Sequence, residues 1–79
     1  MKIPYVNLAL TGSRIESLRK AAGLSVKDMQ EIFGFATPQA IYKWQHGDSI
    51  PEINNLLLLA EILGCSIEDI LVCDYANAS

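Results

Sequence analysis

No uninterrupted apolar run in this 79-residue chain exceeds five residues, Leu56-Leu57-Leu58-Leu59-Ala60, far short of the roughly 20 that a membrane-spanning helix needs. Behind Lys2, Pro4 and Asn7 interrupt the apolar stretch and no small-residue cleavage site follows, which argues against a secretory leader. Cysteine is scarce: Cys65 and Cys73 alone, too few for a disulfide framework or a four-ligand zinc site. There is one histidine, His46, and no glycine-rich phosphate loop or Ser/His/Asp arrangement. Neighbouring Glu68 and Asp69 find a sufficient role in the positive first turn of a helix. These absences exclude the common enzyme classes and point to a non-enzymatic chain with no metal, no cofactor and no small-molecule ligand. A cytoplasmic domain with no membrane contact is expected.

Basic residues are missing from one half. Residues 48–79 hold six acids and no Lys or Arg, whereas residues 1–47 hold all six basic residues against three acids. The whole chain carries −3, so bulk attraction to a polyanion is weak, yet the asymmetry suits a domain with one face for phosphates. A composition 51% hydrophobic and 19% charged suffices for a packed core.

The periodicity predicts five short helices. Pro4 disfavours helix ahead of it, so residues 1–10 read as an extended arm. Thr11 or Ser13 caps a first helix, Ser13 and Glu16 having the spacing of a capping box, with Ile15, Leu18 and Ala22 as its apolar stripe. Ser25 caps a second helix whose inward face is Val26, Met29, Ile32 and Phe33. Thr37-Pro38 opens a third, from residue 38 to about 45, a capping hydroxyl followed by proline at the first helical position. Ile41 and Trp44 point inward there, leaving Gln39, Tyr42, Lys43 and His46 free. The fourth, over about residues 53–63, buries Ile53, Leu56, Leu57, Leu59, Ala60 and Leu63, with Leu58 and Ile62 as surplus apolar surface. Ser66 restarts a last short helix in front of Ile67, Ile70 and Leu71. Gly23, Gly34, Gly47 and Gly64 supply the stops. The helical domain spans residues 11–73, and residues 74–79 form a tail.

Two short helices joined by a tight turn across residues 25–45, the second opening with exposed polar side chains, follow the helix-turn-helix plan. In that plan the first helix offers its N-terminal amides to a DNA phosphate, and the second enters the major groove. The string Arg14-Ile15-Glu16-Ser17-Leu18-Arg19-Lys20-Ala21-Ala22-Gly23-Leu24-Ser25 resembles the opening of the Cro/phage-repressor type helix-turn-helix family, the xenobiotic-response-element-like transcriptional regulators. So do Ile41-Tyr42-Lys43-Trp44-Gln45-His46-Gly47, Ile50-Pro51 and the Leu-rich stretch to Gly64-Cys65-Ser66-Ile67. The resemblance runs in order from about residue 11 to 72. It implies an all-α fold, a compact five-helix lambda-repressor-like domain, binding double-stranded DNA as a bacterial or phage repressor. The chain departs from the pattern twice: one extra residue lies between Gly34 and Ile41, so that residues 35–37 bulge or the third helix starts later, and Gln30 replaces the usual small alanine.

Aligned on Trp44 and Gly47, Gln39 and Lys43 fall at the groove-reading positions, with Tyr42 beside them as a third base contact. The phosphate contacts implied are Arg14, Arg19, Ser25, Val26, Lys27, Thr37, His46 and Ser49. Arg19 resembles the family arginine that pairs near the end of the third helix, here with Gln45. A homodimer through the fourth and fifth helices would serve a palindromic site. The alternative is a protein-interaction module of the same fold, antitoxin-like or anti-regulator, that does not touch DNA; fold alone does not decide.

Overall fold

Asn7 decides where the first helix begins. Its backbone is extended, its Oδ1 accepts from Leu10 N–H at 2.9 Å, and its carbonyl accepts from Thr11 N–H at 2.9 Å. In the computed structural model, which describes residues 1–78, α1 therefore runs Leu8–Ala21, starting ahead of the expected caps. Thr11 and Ser13 lie inside it, and the Ser13–Glu16 capping box does not form. The buried Thr11 hydroxyl instead accepts from Val72 N–H at 2.9 Å.

Four further helices follow in the expected order: α2 Val26–Phe33, α3 Gln39–His46, α4 Ile53–Leu63 and α5 Ile67–Ile70. Ser25 and Ser66 form full capping boxes with Asp28 and Asp69. Before α3, Pro38 occupies the cap itself, and Thr37 Oγ1 stands 3.4 Å from Gln39 N. Of the two ways to place the extra turn residue, the fold takes the later helix start.

The description as all-α needs one addition. Residues 2–6 are extended as expected, but they form β1 (Lys2–Val6), paired antiparallel with β2 (Cys73–Asn77). The segment read as a tail is thus mostly strand; Ser79 lies outside the described residues. Asn7 ties the ribbon to the helices, donating Nδ2–H to Asp74 Oδ2 at 2.7 Å and N–H to the Val72 carbonyl at 2.7 Å.

Ile15, Met29, Ile41, Trp44, Leu56, Leu59, Ala60 and Ile70 make one buried cluster. Four residues expected on inward stripes stand outside: Ile32 is 44%, Ile53 62% and Leu57 57% exposed, and Ala22, the C-cap of α1, is exposed too. The core stripe of α4 is Leu56, Leu59, Ala60 and Leu63, at i, i+3, i+4, i+7. Ile53 and Leu57, one turn apart on its flank, are therefore rotated out. Leu58 and Ile62 are half-buried instead. At the crossing of α1 and α3, Gly12 is buried against backbone: a Cβ there would lie 2.6 Å from the Gln45 carbonyl oxygen, with the Trp44 carbonyl closer still.

Candidate nucleic-acid interface

Helix α3 divides cleanly. Ile41, Trp44 and Gln45 are buried, while Gln39, Tyr42, Lys43 and His46 are exposed. The exposed four recur at i, i+3, i+4 and i+7, a continuous stripe along one side of a two-turn rod. Tyr42 and His46 stack, ring centroids 6.1 Å apart. Gln39 and Lys43 flank a shallow concavity of about 360 Å³, whose lining also includes Thr37, Ser49 and the apolar Phe35 and Ala40. Four of the residues picked out in the sequence (Thr37, Gln39, Lys43, Ser49) thus share one surface.

What fixes the angle of this rod is an aromatic cluster that the sequence reading missed. Phe33, at the end of α2, stacks on Phe35 of the turn at 5.3 Å; both meet Trp44 edge-on, at 5.4 and 5.8 Å. The signal available was the Phe33-Gly34-Phe35 spacing around a helix stop. Gln30 braces the enlarged turn, its Nε2–H donating to the Phe35 carbonyl at 3.2 Å. Arg19 clamps the far end, donating Nε–H to Gln45 Oε1 at 2.9 Å and a second N–H to the Leu24 carbonyl at 2.8 Å. The tie is a hydrogen bond from a cation to a neutral amide. Arg19 therefore holds α3 in place.

At the start of α2, Met29 N–H makes the first bond of the helix to the Ser25 carbonyl at 3.1 Å. The Val26 and Lys27 amides ahead of it have no intrahelical acceptor. The Ser25 and Asp28 amides are satisfied within the capping box, at 2.8 and 2.9 Å. An anion arriving here meets two amides and the exposed Lys27 ammonium, which forms no ion pair among the described residues; the ion pair there is Lys20–Glu16. Arg14 lies elsewhere, in a groove between α1 and α5 that includes Leu10, Cys65 and Asp69, where it donates to the Asp69 carbonyl at 3.1 Å. It lines a different concavity from Lys43. No group of three His, Cys, Asp or Glu able to hold a metal occurs among the described residues, and no helix there is long and apolar enough to cross a membrane.

The Ser25 backbone N–H and then its hydroxyl hold Asp28 below the usual carboxylate range. A depressed folded-state value means that the carboxylate stabilises α2 above the ordinary Asp range and stops doing so as pH falls through the lowered value. Asp28→Asn is accordingly expected to have a lower urea midpoint than wild type at pH 7. The gap should close in strong acid; a gap that persists there would assign the effect to shape instead of charge.

A helix-turn-helix family model matches residues 15–70, from the middle of α1 through α5. No curated protein and no solved structure matches the chain.

Proposed function

The chain belongs to the Cro/phage-repressor type helix-turn-helix family of DNA-binding transcription regulators, and we propose that it is a sequence-specific repressor that reads a palindromic site in the cytoplasm. Helix α3 enters the major groove. Gln39 makes a bidentate contact to adenine, Lys43 reaches a guanine or a nearby phosphate, and Tyr42 meets a thymine methyl. Ser25, Val26 and Lys27 take one backbone phosphate; Thr37, His46 and Ser49 take others, and Arg14 and Arg19 lend charge from α1. The observation that carries this reading is the stripe of Gln39, Tyr42, Lys43 and His46 standing outward on α3 while Ile41 and Trp44 hold its back to the core. Two copies bind half-sites about one helical turn apart. A contact through α4 and α5 is supported by Ile53 and Leu57, exposed side by side on α4.

Selection from a randomised duplex pool, followed by gel shifts, tests the proposal. One enriched site with two-fold symmetry is expected. Gln39→Ala and Lys43→Ala should each cost about 1–3 kcal/mol at the matched base, with relaxed specificity there. No enriched sequence at low salt would defeat it. A second reading, a protein-interaction module that leaves DNA alone, draws on the exposed Ile32, Ile53 and Leu57. Under that reading a partner protein binds unchanged when Gln39 and Lys43 are replaced.

A further inference from the structure

Leu10, Arg14, Ser17 and Leu18 fall at i, i+4, i+7 and i+8 along α1 and share one face of it. Across from that face stand Cys65, Asp69 and Val72, from α5 and its two flanks. The groove between them measures about 620 Å³, within the range of about 300–1,000 Å³ that small-molecule sites occupy. Val72 N–H donates to Thr11 Oγ1 at 2.9 Å and Arg14 to the Asp69 carbonyl at 3.1 Å, so the two walls run antiparallel. One end is therefore made by Leu10 and Val72, the other by Leu18 and Cys65, which are half-buried against the core. Arg14 lies midway between these apolar ends. It forms no ion pair among the described residues. The Asp69 carboxylate is engaged elsewhere, accepting from Ser66 N–H at 3.0 Å in the capping box of α5. A cation in an apolar groove thus stands without an anion.

We propose that this groove binds a monocarboxylate with a short apolar chain, its head on the Arg14 guanidinium and its chain along Leu18 and Cys65. Charge selects the head. A carboxylate matches the guanidinium fork, and the exposed Ser17 hydroxyl, one turn along the same face, offers a second donor. A dianion such as a phosphate monoester is disfavoured, because Asp69 lines the same groove and only one cation does. Burial selects the direction of the chain: Leu18 and Cys65 pack on the core, whereas Leu10 is 51% exposed. Arg14 to Leu18 is one turn of α1, about 6 Å along its axis, which sets a chain of a few carbons beyond the head. The site is complete in one copy and does not depend on whether α3 meets DNA. The absence of small-molecule motifs in the sequence has a simple origin, since the two walls lie 55 positions apart, as Arg14 and Asp69 do.

Titration of the full chain, labelled with nitrogen-15, by octanoate kept below its micelle-forming concentration tests the site. Saturable amide shifts are expected at Arg14, Ser17, Leu18, Cys65 and Asp69, with the exposed face of α3 unmoved. Octanol, with a similar chain and no charge, should bind about fivefold or more weakly, and octylammonium should not bind. Arg14→Gln should weaken octanoate by the same factor while leaving octanol as it was. Ser17→Glu, at an exposed position one turn from Arg14, supplies a competing carboxylate from the chain itself and should abolish octanoate binding without loss of helix signal. Alkylation by iodoacetamide gives a second readout: octanoate should slow the reaction of Cys65 and leave that of Cys73, exposed on β2, unchanged. Equal affinity for octanol and octanoate would overturn the proposal, as would unaltered octanoate binding in both variants. Shifts at the same amides on raising protein concentration alone would also overturn it, by showing the groove to be a contact between copies.

Discussion

Gly12→Ala is expected to destabilise the domain by about 2 kcal/mol or more, against the sign of helix propensity, which favours alanine over glycine by about 1 kcal/mol. The opposing cost comes from the crossing of α1 and α3. The new Cβ would sit 2.6 Å from the Gln45 carbonyl oxygen and 2.9 Å from its carbon, with the Trp44 carbonyl nearer. These are backbone atoms of a helix and cannot rotate aside, so α1 and α3 must separate along their contact. Overpacking costs typically about 1–3 kcal/mol and sometimes more where nothing can yield. In a domain of this size each kcal/mol lowers the melting temperature by about 4–8 °C. Urea denaturation of the two proteins decides the matter: equal midpoints would mean that the crossing has room for a methyl group. Because the crowded carbonyls belong to the last turn of α3, the variant should also weaken binding to any selected duplex while Gln39, Tyr42 and Lys43 are intact.

Trp44→Ala should cost more, about 3–5 kcal/mol, as for other large aromatic side chains removed from a core. Trp44 is 4% exposed and closes the cluster with Phe33 and Phe35. Total stability for a domain of this length is on the order of 4–12 kcal/mol, so the variant should lose a large share of it, with a melting temperature by circular dichroism lowered by roughly 12–40 °C. Trp44→Phe retains ring contacts and should lose much less. A well-folded alanine variant would show that Phe33 and Phe35 can collapse into the vacated space and hold α3 without the indole.

The local signals that were legible share a physical origin: each acts within one or two helical turns. Ser25 with Asp28, Ser66 with Asp69, and the glycine after α3 are chemical stops and starts that work over three or four residues. The division of α3 followed from spacing alone, since Ile41 and Trp44 define the buried side and leave Gln39, Tyr42, Lys43 and His46 opposite. The pairing of Arg19 with Gln45 came from the family resemblance and is present in the structure at 2.9 Å. What escaped was long-range. The ribbon joins residues more than 60 positions apart, and nothing near Pro4 or Tyr75 announces the other. Asn7 was read as an interruption because its two roles, capping α1 and holding Asp74, depend on a strand at the far end of the chain. Gly12 is silent in an apolar pattern, since its importance lies in a side chain it lacks. Ile53 and Leu57 misled because a leucine-rich helix offers more apolar faces than one core can cover.

Residues 1 and 78 lie side by side on the ribbon. Ala78 N–H bonds to the Met1 carbonyl at 2.9 Å, so head and tail leave the ribbon side by side. A group attached at Met1 and one attached beyond Ala78 would therefore start out as neighbours.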